Sequence, residues 1–178
     1  VSRDWSSDVC SSDLGADCEV VRNDAVSPAD AADFDGVLVS PGPGTPEEAG
    51  VSMRMIEACA ERAQPMLGVC LGHQALGMAV GAPVVRGEPV HGHASRVFHD
   101  GSGIFEGVSD PFDAARYHSL RLRREDLPSA VAVTAWTDDG VVMGLARRDR
   151  PWFGVQFHPE SILTPEGPRI VGNFLALA

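Results

Sequence analysis

The 178 residues of the chain carry 14 basic and 25 acidic side chains, a net charge of −11, and fit one domain with a substantial buried core. This acidic balance argues against a nucleic-acid partner and against adsorption to anionic membranes, and no apolar run approaches the roughly 20 residues of a membrane span. Four cysteines without a C-x-x-C pair or disulfide-like spacing, and the lack of a signal peptide, predict a cytoplasmic protein.

The first fourteen residues differ from the rest of the chain. They are rich in Ser and Asp and repeat the tripeptide Ser-Ser-Asp. A buried parallel strand should be nearly continuous in Val, Ile and Leu, so this stretch cannot form one. We therefore predict that residues 1–14 are an anomalous segment, either non-native or disordered, and that residues 15–178 form the domain.

From residue 15 the chain alternates between apolar strands and helices, which predicts a single doubly wound, mainly parallel sheet in the α/β class. A helix start is indicated by the Thr45 cap, Pro46 at the first position and Glu48 at the third. The predicted elements are a strand over Ala16–Arg22, a turn-rich connection over Asn23–Asp35, a buried strand over Val37–Val39, a loop over Pro41–Gly44, a helix over Met53–Ala63, and the Met66–Val69 strand with the helix after it.

After Gly81 the pattern changes. Pro83–Asp100 and Asp113–Ser119 suggest shorter strands and loops. The following elements are a hairpin of Val131–Trp136 and Val141–Ala146 across an Asp-Gly turn, a strand over Trp152–Phe157, and a closing helix over Pro168–Leu177. No internal repeat, linker or second domain is evident.

The Met66–Val69 strand ends at a cysteine between two glycines. Gly68-x-Cys70-x-Gly72 is the thiol version of the G-x-S-x-G nucleophile elbow, a tight strand-to-helix turn. The glycines are needed because the nucleophile adopts a strained backbone conformation and its neighbours must not clash. The helix N-terminus also favours a thiolate. The alternative is a buried structural cysteine.

A second motif supplies a base. The strand Trp152–Phe157 ends in His158, Pro159 and Glu160. A cysteine nucleophile needs a base to take its proton, and the base needs a third group to fix its tautomer. Alone, His158 is more simply a satisfied histidine at a strand end; together with the elbow, it indicates a catalytic pair.

With these motifs the chain resembles the class I (triad-type) glutamine amidotransferases, and within them the glutaminase components of anthranilate synthase. The resemblance covers Gly15 to Ala178, and a histidine at position 93 departs from the lysine common there in the family. The motifs that carry it are Ser40–Gly44, Gly68–Gln74, Arg116–Leu120 and Gln156–Ser161, with His91–Ser95 and His99–Gly101 narrowing it toward the chorismate-using branch.

The resemblance implies a flavodoxin-like fold and assigns Cys70 as nucleophile, His158 as base and Glu160 as its orienting partner. The backbone N–H groups of Leu71 and Gly44 are candidate oxyanion donors, since glycine lets the backbone approach closely. The residues expected to bind the substrate, L-glutamine, are Gly42, Pro43, Gly44, Leu71, Gln74, Ser119 and Leu120.

No cofactor and no metal are expected. His91, His93 and His99 lack a cysteine or carboxylate to complete a ligand set, which favours a structural or interface role. His118 is expected to be architectural.

The function implied by the resemblance is hydrolysis of glutamine through a Cys70 thioester, with ammonia passing to a chorismate-binding synthase subunit that makes anthranilate for tryptophan biosynthesis. Three alternatives stay open: the sister subunit for aminodeoxychorismate on the folate route, a catalytically impaired interaction subunit, and a cysteine hydrolase of another elbow family. Family members open with an apolar strand, an Asp-Asn-Tyr-Asp-Ser-Phe-like loop and a helix, all of which are missing at the start of this sequence.

Overall fold

The computed structural model describes residues 14–178. The prediction that residues 1–14 form an anomalous segment therefore lies outside the described residues, except for Leu14. The described part forms one seven-stranded sheet with three α-helices. The elements are β1 (Val37–Val39), α1 (Ser52–Arg62), β2 (Met66–Val69), α2 (Leu71–Ala79), β3 (Val84–His99), β4 (Phe112–Leu122), β5 (Val131–Thr137), β6 (Val142–Arg147), β7 (Trp152–Val155) and α3 (Gly167–Leu175), with short 3₁₀ helices at Pro28–Asp33, Pro46–Glu48, Gly103–Phe105 and Arg124–Asp126.

The sheet is mixed, with strand order β1-β2-β7-β6-β5-β3-β4. The pairs β1–β2 and β2–β7 are parallel, and the pairs β7–β6, β6–β5, β5–β3 and β3–β4 are antiparallel. This single mixed sheet with flanking helices confirms the predicted fold class, and its parallel part lies at the end that carries the elbow.

The strand β2 lies between two parallel neighbours and is buried along its whole length, as its continuous apolar composition requires. Helix α1 buries one stripe, Met55, Ile56 and Cys59, against the β2 side of the molecule. On the other side of the sheet α3 buries Ile170 and Phe174 in the core. The nucleophile elbow therefore stands at the end of a fully buried strand that is paired on both sides.

The predicted strand over Ala16–Arg22 is wrong: these residues form no helix or strand. Val20 and Val21 are exposed by 61% and 40%, and the stretch has too few apolar residues to bury both faces of a parallel strand. Consequently β1 has one paired neighbour and one unpaired edge within residues 14–178, and its three residues are only half-buried.

The prediction of shorter strands and loops after Gly81 is also wrong. The sixteen residues of β3 and the eleven of β4 form one long antiparallel ribbon. The register shifts between Arg86 and Val90 and between His91 and His93, so bulges absorb the Gly and Pro residues that suggested loops. The hairpin of β5 and β6 is confirmed, as are β2 and α3 to within two residues.

No helix in the described range, residues 14–178, is long and apolar enough to cross a membrane.

Candidate active site

The turn at Cys70 has the strained geometry of a nucleophile elbow. Cys70 has φ 51° and ψ −98°, a conformation that costs a non-glycine residue of the order of 1–3 kcal/mol. A Cβ at Gly68 would lie 2.4 Å from the carbonyl oxygen of Gly72, and one at Gly72 would lie 2.2 Å from that of Val39. Only glycine fits at the positions two residues before and two residues after this cysteine, which stands directly before α2.

The second motif supplies a histidine held by a carboxylate. His158 Nδ1 lies 2.6 Å from Glu160 Oε1, and both side chains are largely buried. The other ring nitrogen, Nε2, is buried and has no hydrogen-bond partner within the described part of the chain. Burial lowers the pKa of His158, but favourable interaction with the Cys70 sulfur, and then with the Glu160 carboxylate, outweighs it and raises that pKa to about 9. The structure thus brings Cys70, His158 and Glu160 together.

The loop after β1 lies against the elbow. A Cβ at Gly42 would be 3.0 Å from Leu71 Cδ2, so this loop and the start of α2 are in contact. Gly42, Pro43 and Gly44 are exposed, and Gly44 has φ +82°, which favours glycine. The loop is anchored by the Thr45 N–H, which donates to Glu48 Oε2 at 3.3 Å. The loop therefore lies against the residue that directly follows the nucleophile.

Gln74 lies on α2 near the nucleophile, and its side chain is buried. It is 2% exposed, and its Nε2 donates to the Leu120 carbonyl at 3.0 Å and to Gln156 Oε1 at 3.2 Å. Both amide hydrogens are thus used by the protein. Ser119, next to Leu120, is exposed on β4.

Sequence reasoning missed two residues that border the nucleophile pair. Gln156 is completely buried, and its Nε2 lies 3.6 Å from Cys70 Sγ. The Tyr117 ring meets the imidazole of His158 edge to face, with centroids 5.1 Å apart. A signal existed for Gln156, because it is the one polar side chain within the predicted strand Trp152–Phe157.

A third missed residue supports the base. Thr164 Oγ1 donates to the His158 carbonyl at 2.7 Å and accepts from the Ala115 N–H at 2.9 Å. The His158 N–H also donates to the Ala115 carbonyl at 3.0 Å. The segment after β7 is therefore fixed to β4, and this fixes the position of the imidazole.

The remaining histidines have local roles. Burial lowers the pKa of His73, on α2, to about 3, so it is neutral. Burial, and then the charge of Arg116, lower the pKa of His118 to about 4. The His99 ring bonds to the backbone of Ser109 and Gly101, while His91 and His93 are exposed on β3.

A strained cysteine at the carboxyl end of a parallel strand, beside a carboxylate-bound histidine, is typical of a cysteine-dependent acyl-transfer enzyme on an α/β scaffold. The family model described as glutamine amidotransferase class-I matches residues 4–178. The chain belongs to the class I glutamine amidotransferases.

Curated relatives and solved structures agree with this family. An anthranilate synthase component 2 from Mycobacterium tuberculosis is 53% identical over 167 residues, which are 91% of this chain and 72% of that protein. An aminodeoxychorismate synthase component 2 from Escherichia coli is 47% identical over 166 residues, 92% of this chain and 88% of that protein. The crystal structure of a candidate GMP synthase protein from Thermoplasma acidophilum has a TM-score of 0.83 at 27% identity, covering 92% of this chain and 82% of that one.

Proposed function

We propose that this chain is the glutaminase subunit of a chorismate-using synthase. The Cys70 thiolate, whose proton is held by His158, attacks the side-chain amide carbon of L-glutamine. The tetrahedral intermediate then collapses, the C–N bond breaks, and His158 returns the proton to the departing ammonia. Water attacks the resulting glutamyl thioester with His158 as base, releasing glutamate and the Cys70 thiol.

The charge state of the imidazole supports these roles. With a pKa of about 9, His158 is protonated at neutral pH and is ready to protonate the leaving nitrogen. Glu160 holds the Nδ1–H and thereby aims Nε2 at the nucleophile. Gly42, Pro43 and Gly44, with Leu71, border the space where the substrate carbonyl must sit, and we assign the oxyanion to the N–H groups of Gly44 and Leu71.

The observation that carries the proposal is the strained Cys70 beside the His158–Glu160 pair in a chain 53% identical to an anthranilate synthase component 2. Ammonia released from glutamine at Cys70 would pass to a separate chorismate-binding protein, component I, that makes anthranilate for tryptophan biosynthesis. The 47% identity to an aminodeoxychorismate synthase component 2 favours a role on the folate route as the second candidate. The net charge of −11 argues against a nucleic-acid partner, and the cysteine spacing supports a cytoplasmic location. Residues 15–178 constitute the glutamine amidotransferase domain in this proposal.

The test combines glutamine hydrolysis with partner-dependent synthesis. The protein is assayed for glutamate release alone and with each candidate synthase subunit, using glutamine or ammonia as nitrogen donor. Cys70→Ser should abolish every glutamine-dependent activity and leave the ammonia-dependent activity of the complex intact. Glutaminase turnover retained in Cys70→Ser would refute the assignment, and activity with only one synthase subunit decides between the two routes.

A further inference from the structure

The buried amide of Gln156 links the nucleophile to a fixed polar network. Gln156 Nε2 lies 3.6 Å from Cys70 Sγ, within reach for a bond to sulfur, and Gln156 Oε1 accepts from Gln74 Nε2 at 3.2 Å. Gln74 Nε2 also donates to the Leu120 carbonyl at 3.0 Å. Gln156 is completely buried and Gln74 is 2% exposed, so neither amide can turn to water.

The positions of the amide oxygen and nitrogen in Gln74 and Gln156 follow from the groups they contact. A carbonyl oxygen can only accept, so the atom of Gln74 that faces Leu120 must be its nitrogen. The same nitrogen donates to Gln156, so the atom of Gln156 that faces Gln74 must be its oxygen. It follows that Gln156 presents an N–H to the sulfur of Cys70.

The Leu120 carbonyl is itself fixed from the other side. Arg116 Nε donates to His118 Nε2 at 3.1 Å, and an arginine is always a donor. His118 therefore carries its proton on Nδ1, which donates to the Leu120 carbonyl at 3.0 Å. Two buried donors thus hold the acceptor that orients Gln74.

We propose that Gln156 is a catalytic residue that donates a permanent hydrogen bond to the Cys70 thiolate. The proposal rests on the glutaminase reaction given above. Cys70 is 7% exposed, so its sulfur anion has little help from water. His158 cannot serve as a constant donor, because it must give its proton to the leaving ammonia. The Gln156 amide does not titrate, and it stabilises the sulfur anion both before attack and when the thioester releases it. Gln74, which the family resemblance assigns to substrate binding, in this view also positions Gln156 through the bond between the two amides.

The test follows the reactivity of Cys70 rather than turnover. The rate of iodoacetamide alkylation of Cys70 is measured by peptide mass spectrometry across a pH range in the full-length protein. In Gln156→Met, which keeps length and removes the donor, we expect the midpoint of the pH profile to rise by about one unit, so that alkylation below the midpoint is about tenfold slower. Gln156→Glu, which keeps the acceptor for Gln74, should shift the midpoint in the same direction.

The matched control is Gln64→Met. Gln64 is another buried glutamine, 7% exposed, whose Nε2 donates to the Ala31 and Phe34 carbonyls away from the nucleophile. This variant should leave the Cys70 profile unchanged. In the wild-type protein, the side-chain ¹⁵N resonance of Gln156 should also move with the ionisation of Cys70, a readout that needs no folded variant.

The possible outcomes distinguish failure of the role proposed for Gln156 from failure of the proposed glutaminase function. Three results would overturn the role of Gln156 even in an active glutaminase. They are an unchanged alkylation profile in folded Gln156→Met, an equal shift in Gln64→Met, and a Gln156 resonance that does not move when Cys70 ionises. Absence of glutaminase activity in the wild-type protein with either synthase subunit overturns the proposed function instead, because the alkylation profile does not depend on glutamine.

Discussion

The charge of His158 depends on Glu160, and removing that carboxylate should expose the dependence. A rise of the pKa of His158 from 6.5 to about 9 corresponds to at most about 3 kcal/mol in favour of the imidazolium. In Glu160→Gln the carboxylate is lost while burial still disfavours the charge and Cys70 still favours it, so the pKa of His158 should fall by the part of the rise that Glu160 supplies. NMR titration of the histidine ring signals, with His158→Gln to assign the resonance, measures it. The exposed Glu61→Gln on α1 removes the same charge elsewhere and should leave this pKa unchanged.

The same shift predicts how stability depends on pH. The folded protein binds the His158 proton more tightly than the unfolded chain, so this stabilisation is complete below about pH 6.5 and is lost as the pH rises through about 9. The excess unfolding free energy of the wild type over Glu160→Gln, from urea denaturation, should therefore shrink across that window, by less than the full value of about 3 kcal/mol because Cys70 supplies part of the shift. A wild-type His158 that titrates near 6.5, or an excess that grows with pH, would refute the reasoning.

Four further predictions concern the base, the cysteines, the elbow and the amino terminus. His158→Ala should lower glutaminase turnover by several orders of magnitude and Glu160→Ala by less, because an orienter assists a base that still functions without it; steady-state kinetics with the opposite ranking would reverse the roles. Iodoacetamide should label Cys70 faster than Cys18 or Cys59, since burial raises the pKa of the Cys59 thiol to about 11, and equal rates would count against an activated Cys70. Gly72→Ala should destabilise the protein by about 3 kcal/mol because its Cβ would meet the Val39 carbonyl, whereas Gly172→Ala, with only Leu14 near at 4.0 Å, should not; similar melting temperatures for both would contradict the clash. Replacing residues 1–14 with an apolar strand, an Asp-Asn-Tyr-Asp-Ser-Phe-type loop and a helix should raise the melting temperature, because β1 has an unpaired edge within residues 14–178; equal melting curves would show that the original segment serves the fold.

Short-range signals in the sequence predicted the parts of the molecule that are specified locally. Gly68 and Gly72 indicated the elbow, because no larger residue fits a strained turn at that spacing. The Asp-Gly turn likewise predicted the hairpin of β5 and β6. The Cys70–His158 pairing was expected because a cysteine nucleophile needs a base, and the motif at His158 supplies one.

Long-range features were not predictable in the same way. The β3–β4 ribbon contains Gly87 and Pro89, which are typical of loops, and only the pairing of the whole ribbon shows that bulges absorb them. Gln156 bonds to a sulfur 86 positions earlier in the chain, a distance over which no local pattern carries information. The orientation of Gln74 likewise depends on a carbonyl of β4, which is not visible from the helix that carries Gln74.

The parallel pairing of β2 with β7 has a consequence for biosynthesis. Met66–Val69 is flanked on one side by Trp152–Val155, which the ribosome makes much later. A nascent chain that has only reached the elbow therefore has its nucleophile on a strand with one neighbour and without an imidazole to activate it. Loop closure of this length is slow compared with local structure. The nucleophile therefore cannot be paired with its base until the segment that carries His158 and Glu160 has been made.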